Sequence, residues 1–221
     1  MVNDLEDRFN AVDQSETFNR ILNAFDLRNK KVLDLGCGYG EYLAKFGKDS
    51  FGITTTLEEV ENGKLKGLRI IFGNVELIDS LEIERGFKAV WANNLIEHLL
   101  SPHSFLIKLK KICERETLLV LGVPVIPRIQ SLLRLKKFKG ALAISHVNFF
   151  TRESLKLTVE RAGWKVEDIR PFIFTNKILD KAASFFVPHL YVVAVNDKNF
   201  QYSDKKLKEW KDEPFYSKLI S

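Results

Sequence analysis

The sequence predicts an α/β fold built on one doubly wound sheet, mostly parallel, with an antiparallel edge hairpin and an N-terminal helix. Three observations carry this. Short apolar runs alternate with helical patterns between residues 30 and 123. A glycine-rich string follows the first of those runs at once. Two later strand-like runs lie close together in sequence, which favours an antiparallel pair. Strands that alternate with helices imply βαβ units, and buried parallel strands read as near-continuous apolar runs.

The elements follow in order. Residues 1–26 read as helical, with Phe18, Ile21, Leu22 and Phe25 spaced for one face. Strands are expected at 31–36, 50–55, 68–73, 87–92 and 117–123. Helical character is expected at 41–46, 57–64 and 95–113, the last restarting at Ser101, where Ser101 and Pro102 signal a cap and a first turn. Residues 150–163 form a helix with Thr151 and Ser154 as caps and Gly163 at its end. Residues 164–174 and 190–195 are strands. The expected organisation is a helical cap (1–28), one ligand-binding domain (29–196) with a basic insertion over its cleft (128–148), and a charged, loose tail (197–221).

Composition narrows the class. The 221 residues are 45% hydrophobic and 29% charged, enough apolar material for a folded core, so wholesale disorder is excluded. Two cysteines are too few for a disulfide scaffold. The net charge of +5 permits an anionic partner without demanding one. The acidic N-terminus lacks the pattern of a signal peptide, and the longest apolar stretches, 118–127 and 182–195, fall short of a bilayer span. These features predict a cytoplasmic protein.

The chemistry sits in the string from Val32 to Gly40. Asp34 lies at the end of the first strand, and glycines occupy 36, 38 and 40. Glycine serves where backbone must approach a ligand or take positive φ. The loop falls at the carboxyl edge of the sheet, where such folds bind ligands. The dinucleotide fingerprint needs its third glycine one place later, and Asp34 would repel a pyrophosphate. A carboxylate there suits a ligand with an ammonium group, as in S-adenosylmethionine. A plain tight turn and a nicotinamide site are the competing readings.

Asp34, Gly36, Cys37, Gly38, Tyr39 and Gly40 together resemble the first motif of the class I S-adenosylmethionine-dependent methyltransferases. Phe72, Gly73, Asn74 and Val75 resemble that family's third-strand motif, which contacts the adenine amino group. Residues 87–99, ending in Asn93, Asn94, Leu95, Ile96, Glu97, His98 and Leu99, are similar to the fourth-strand segment of a subgroup. That subgroup holds quinone-type O-methyltransferases and many small-molecule or glycan methyltransferases. His146 to Thr151, with Ser154, Leu155, Ala162, Gly163 and Trp164, is similar to it too. The resemblance covers about residues 30–195. It implies a Rossmann-like, seven-stranded methyltransferase fold with S-adenosylmethionine as cofactor.

The resemblance implies cofactor contacts from Asp34, Gly36, Cys37, Gly38, Tyr39, Gly40, Thr54, Asn74, Val75 and Asn93. It departs from this chain at the second strand. The family places an acid there to bond both ribose hydroxyls, whereas this chain has Thr54, with Glu58 or Glu59 a turn later as a replacement. Asn74 also reads as a turn residue, and one of Asn93 and Asn94 as a helix cap.

Methyl transfer to a hydroxyl needs a proton acceptor. His98, after the fourth strand, and His146, after the basic segment, are the candidates, each against a packing role. No Cys/His cluster with ligand spacing occurs in the sequence, so no metal is expected. The expected acceptor is a small or lipid-linked molecule. Leucines interleaved with cations at 128–139 suggest an interfacial helix and peripheral membrane contact, against a plain solvated face. Nucleic acid is disfavoured, because the fourth strand ends in Asn93 and Asn94 without the proline pair of base-nitrogen methylation. A cofactor-binding but non-catalytic partner subunit is the alternative function.

Overall fold

The computed structural model describes residues 2–210. A seven-stranded sheet runs β3-β2-β1-β4-β5-β7-β6. Its strands are β1 Val32–Leu35, β2 Phe51–Thr54, β3 Ile70–Phe72, β4 Ala89–Asn93, β5 Leu118–Pro124, β6 Trp164–Arg170 and β7 His189–Asn196. β1 to β5 are mutually parallel, and β7 runs antiparallel between β5 and β6. The hairpin is therefore present with β6 on the outside and β7 paired into the sheet.

Alternation along the strands explains why both faces are apolar. Leu33, Leu35, Val90, Ala92, Leu119, Leu121 and Val192 join one core with Phe105, Leu106 and Leu155. Val32, Trp91, Val120, Tyr191 and Val193 join the other with Phe18, Ile21 and Leu22. Successive strand residues point to opposite faces, so each strand must be apolar throughout to be covered on both sides.

Two helices, α1 Val2–Asp13 and α2 Glu16–Ala24, replace the single helix expected at the N-terminus. Ser15 separates them, because its hydroxyl accepts from the Phe18 amide and caps α2. α3 is Leu57–Leu65, α4 Pro102–Ile112 and α5 Arg152–Arg161. α5 begins with the expected caps, Thr151 and Ser154 bonding each other's backbone amides. Ser101 precedes α4 but its side chain makes no cap; its amide instead donates to Glu76 Oε1 at 3.0 Å.

Four further expectations change. Residues 41–46 hold only a short 3₁₀ turn, Leu43–Lys45, and the stretch before α4 holds another, Ile96–His98. Residues 128–139 form no α-helix but two 3₁₀ turns, Gln130–Arg134 and Lys136–Leu142. The tail carries a helix, α7 Asp204–Trp210, whose Trp210 is buried with its ring 4.9 Å from that of Tyr202. Residues 211–221 of the tail lie outside the described residues.

One buried charge anchors the hairpin. Asp180 in α6 (Lys177–Ala183) is fully buried. It accepts from Arg170 at 3.0 Å and from the amides of Phe172, Ile173 and Phe174, each at 2.9 Å. These bonds fix the turn after β6, where Phe172 takes a positive φ of 57° and enters the core.

Candidate active site

Strand order reverses direction at β1 and β4, and the ends of β1, β2 and β4 meet there. The glycine loop fills this switch point. Gly36, Gly38 and Gly40 have φ of 69°, 57° and 89°, a region that side chains with a Cβ rarely adopt. A Cβ on Gly40 would also lie 2.5 Å from Leu68 Cδ1. The Gly36 and Cys37 amides both donate to the Ile53 carbonyl, at 2.9 and 3.0 Å, which pins the loop to β2.

The loop opens into a cleft of about 330 Å³, lined by Asp34, Gly36, Cys37, Gly38, Trp91 and Asn93, among others. Asn94, Glu41, Tyr42 and, from α1, Arg8 complete the wall. Asp34 is 1% exposed and its Oδ2 has no partner. Burial, with Glu41 nearby, holds its carboxyl well above the usual carboxylate range. A buried acceptor without a donor is costly, so this site is shaped for a cationic donor.

Neighbouring groups are already engaged. Arg8 Nε bonds Glu41 Oε1 at 2.6 Å and stacks over Tyr39 at 5.1 Å, so α1 lies across the loop. Trp91 packs against Tyr42, Phe18 and Tyr191. Asn93 donates to the Tyr42 hydroxyl at 3.3 Å and leaves its Oδ1 unpaired. Neither Asn93 nor Asn94 caps a helix, since Leu95 precedes the next turn; both line the cleft. A larger cavity, about 810 Å³ between α4, α5 and the tail, contains none of the expected site residues.

The remaining cofactor candidates divide. At the end of β2, Thr54 donates to Glu59 Oε2, so the hydroxyl and a carboxylate act as one unit. Tyr39 donates to Glu58 at 3.2 Å. Cys37 packs its sulfur toward Gly52, where burial pushes its thiol pKa up, and the residue is part of the cleft lining. Asn74 caps the turn Val75–Leu77 by accepting from Glu76 N at 2.9 Å, and Val75 is a core residue.

His98 and His146 lie 47 residues or more from each other's neighbours in sequence, yet their rings meet edge to face with centroids 4.7 Å apart. Glu97, 1% exposed, brings a carboxylate oxygen within 4.8 Å of a ring nitrogen of each, and neither of its oxygens has a hydrogen-bond partner. Burial raises the Glu97 carboxyl, opposed in part by its own amide and by His98. Glu97, Glu41 and Arg8 were not singled out as site residues in the sequence. An acid just past the glycine loop was a readable signal for Glu41. Nothing local marked the approach of residues 97–98 and 146.

Sheet order, glycine loop and acid-lined cleft define a class I S-adenosylmethionine-binding domain. The comparisons agree. Residues 6–169 match the family model described as a methyltransferase domain, well over half of the 221 residues, and the chain belongs to that family. A methyltransferase of Haloferax volcanii, solved with the Trm112 methyltransferase activator, matches with a TM-score of 0.62 at 14% identity, over 90% of this chain and 97% of that one. An S-adenosylmethionine-dependent methyltransferase of Thermotoga maritima gives 0.61 at 14% identity, over 89% and 96%. The magnesium protoporphyrin IX methyltransferase of Synechocystis, with bound S-adenosylhomocysteine, gives 0.57 at 15%, over 86% and 83%. A comparison with curated protein sequences gave no match.

The protein is thus an S-adenosylmethionine-dependent methyltransferase, and the cleft fits that cofactor. The unpaired Asp34 oxygen would take its ammonium, the glycine loop would approach its backbone closely, and the Thr54–Glu59 pair would face its ribose. The cofactor supplies a methyl already activated on sulfur. Glu59→Gln is expected to weaken S-adenosylhomocysteine binding roughly tenfold, the value of a charge-assisted hydrogen bond. Glu61→Gln, on the exposed side of α3, should leave it unchanged in the same titration.

Proposed function

We propose that the enzyme methylates a hydroxyl oxygen of a small or lipid-linked acceptor, in the manner of the quinone-type O-methyltransferase subgroup. The observation that carries this is the pair of histidines beside a buried carboxylate, of which Glu97 and His98 follow in sequence within five residues of Asn93, the cleft-lining end of β4. The acceptor oxygen loses its proton toward that cluster and attacks the methyl carbon. The carbon–sulfur bond breaks with its electrons going to sulfur, leaving S-adenosylhomocysteine. His98 and His146 are the residues at which the proton leaves. Because the methyl is already activated, the chain's remaining work is alignment and exclusion of water. The Thermotoga neighbour is described as a possible histamine N-methyltransferase. At 14% identity that sets no acceptor for this chain.

A lipid surface is the proposed partner. Residues 128–149 contain no acidic residue, and five of them, Arg128, Arg134, Lys136, Lys137 and Lys139, are cationic. Leu135, Leu142 and Ile144 in the same segment are 50%, 50% and 106% exposed. Ile178 and Leu179 of α6 are also exposed, and Arg128 stacks on Phe185 at 5.3 Å, joining the two segments. These cations make no ion pair among the described residues, and exposed apolar side chains among such cations suit an anionic membrane surface. Among the described residues, no helix is long and apolar enough to cross a membrane.

The test has two parts. Product S-adenosylhomocysteine should form with catechol or polyprenyl-phenol acceptors and not with amines; amine-only turnover would overturn the hydroxyl assignment. The chain should co-sediment with vesicles containing phosphatidylserine but not with purely zwitterionic ones. The double change Lys136→Glu and Lys137→Glu should cut that binding tenfold or more, at about 1 kcal/mol per cation near the surface. Equal sedimentation with both vesicle types would remove the lipid partner.

A further inference from the structure

We propose that Glu97, His98 and His146 form a binding site for a divalent transition-metal ion of the zinc type. Each residue offers one ligand atom, and these atoms lie within 4.8 Å of one another. Both carboxylate oxygens of Glu97 are buried and unpaired, as is His146 Nδ1. Buried polar atoms left without partners are costly unless a cation or a donor completes them.

The ligand geometry is prearranged by the surrounding backbone. His98 Nδ1 meets the Ser145 carbonyl at 3.1 Å, and as donor there it leaves Nε2, 4.0 Å from Glu97 Oε1, with a free lone pair. Fixing one imidazole nitrogen on a carbonyl is how metal-binding histidines are usually oriented. The Glu97 carbonyl accepts from the Val147 and Asn148 amides, both at 3.0 Å. Asn148 Nδ2 donates back to the Leu99 carbonyl at 2.5 Å. The two segments that supply the ligands are therefore tied together by bonds that do not involve the ligand atoms.

Donor chemistry selects the ion. Two imidazoles and one carboxylate suit zinc and its neighbours, whereas magnesium and calcium prefer all-oxygen shells. Around a tetrahedral ion the ligand atoms would stand roughly 3.3–3.5 Å apart, so the widest pair, up to 4.8 Å apart, needs to close by about 1.4 Å. His98, 39% exposed, gives the ion a path from solvent. Three protein ligands also leave a position open, the arrangement of catalytic rather than structural zinc. An acceptor hydroxyl in that position would be acidified at the same cluster at which the proton leaves in the reading above, the ion taking over from the free imidazoles as the group that promotes its loss. That last role, unlike the binding itself, rests on the hydroxyl-methylation reading.

The test uses the untagged full chain, stripped with a chelator and then given zinc alone in competition with a chromophoric chelator. The expected result is one equivalent bound, with at least tenfold weaker binding in both His146→Ala and Glu97→Gln. His103→Ala, a change at a surface histidine outside the cluster, should keep the full equivalent. Cobalt in place of zinc should give visible absorption in the wild type that His146→Ala removes; this readout holds even if Glu97→Gln fails to fold. No uptake by the wild type, or equal loss in His103→Ala and His146→Ala, would overturn the site. The same stripped protein is titrated with S-adenosylhomocysteine. Cofactor binding without zinc uptake defeats only the metal site, and zinc uptake without turnover of hydroxyl acceptors defeats only the function proposed above.

Discussion

Asp180→Ala is expected to lower the stability of the fold by about 3–5 kcal/mol, the cost of breaking a buried ion pair from one side. The change strips Arg170 of one of its two carboxylate partners and leaves three backbone amides, at Phe172, Ile173 and Phe174, without acceptors. Arg170 is itself buried, so its charge cannot turn to water. The turn that holds Phe172 at positive φ would lose its clamp, and Phe172 would leave the core it shares with Phe25 and Tyr191. Urea unfolding of the wild type and the variant reads the difference directly. Lys177→Ala is the companion: its side chain is 70% exposed and its ammonium lies 3.9 Å from Asp168, so it should cost under about 0.5 kcal/mol. Equal losses in the two variants would show that the Asp180 network is not what holds the hairpin turn.

Asp34→Asn is expected to act in opposite directions on stability and on binding. In the free protein the Asp34 carboxyl is held well above its ordinary range, chiefly by burial and then by Glu41. A carboxyl whose folded pKa is raised favours the fold while protonated. Its contribution is complete at pH below the unfolded value and is lost as pH rises toward the folded one. The neutral asparagine removes that loss. The variant should therefore be more stable than the wild type above the ordinary carboxylate range, and no more stable below it. Binding should fall at least tenfold, because the cationic end of the cofactor loses its counter-charge in a buried site (about 1.4 kcal/mol or more). Unfolding curves at two pH values, with a ligand titration at the higher one, check both signs. A stabilised variant that binds as tightly as the wild type would remove Asp34 from the cofactor site.

The strands and the glycine loop were legible because their signals are local. Val32 to Gly40 states a strand, an acid and three obligatory glycines within nine positions, and the structure gives those glycines positive φ. The hairpin was legible as a pair but not as a pairing. β7 is apolar from Leu190 to Val195 whereas β6 carries Lys165, Glu167, Asp168 and Arg170, a contrast that suits an inner and an edge strand, yet nothing in residues 189–196 names β5 as the partner of β7. The break at Ser15 and the shortness of the 41–46 turn were hidden by apolar spacing that suits one long helix and by a single-turn pattern. In the site, Asp34 and Asn93 could be located from sequence. The meeting of Glu97 and His98 with His146 depends on backbone bonds from 97 to 147 and 148, which sequence spacing does not encode. Thr54 and Glu59 are an intermediate case: the missing acid was visible, and its replacement a turn later needed the structure to pick Glu59 over Glu58.

That the cleft between Asp34, the glycine loop and Asn93 holds S-adenosylmethionine is the expectation on which the other site residues depend. It is tested most directly by calorimetric titration of the full chain with S-adenosylhomocysteine, with NAD as the control. One equivalent of S-adenosylhomocysteine should bind with micromolar affinity, and NAD should give no heat of binding. Binding of NAD, or silence toward S-adenosylhomocysteine, would contradict the account.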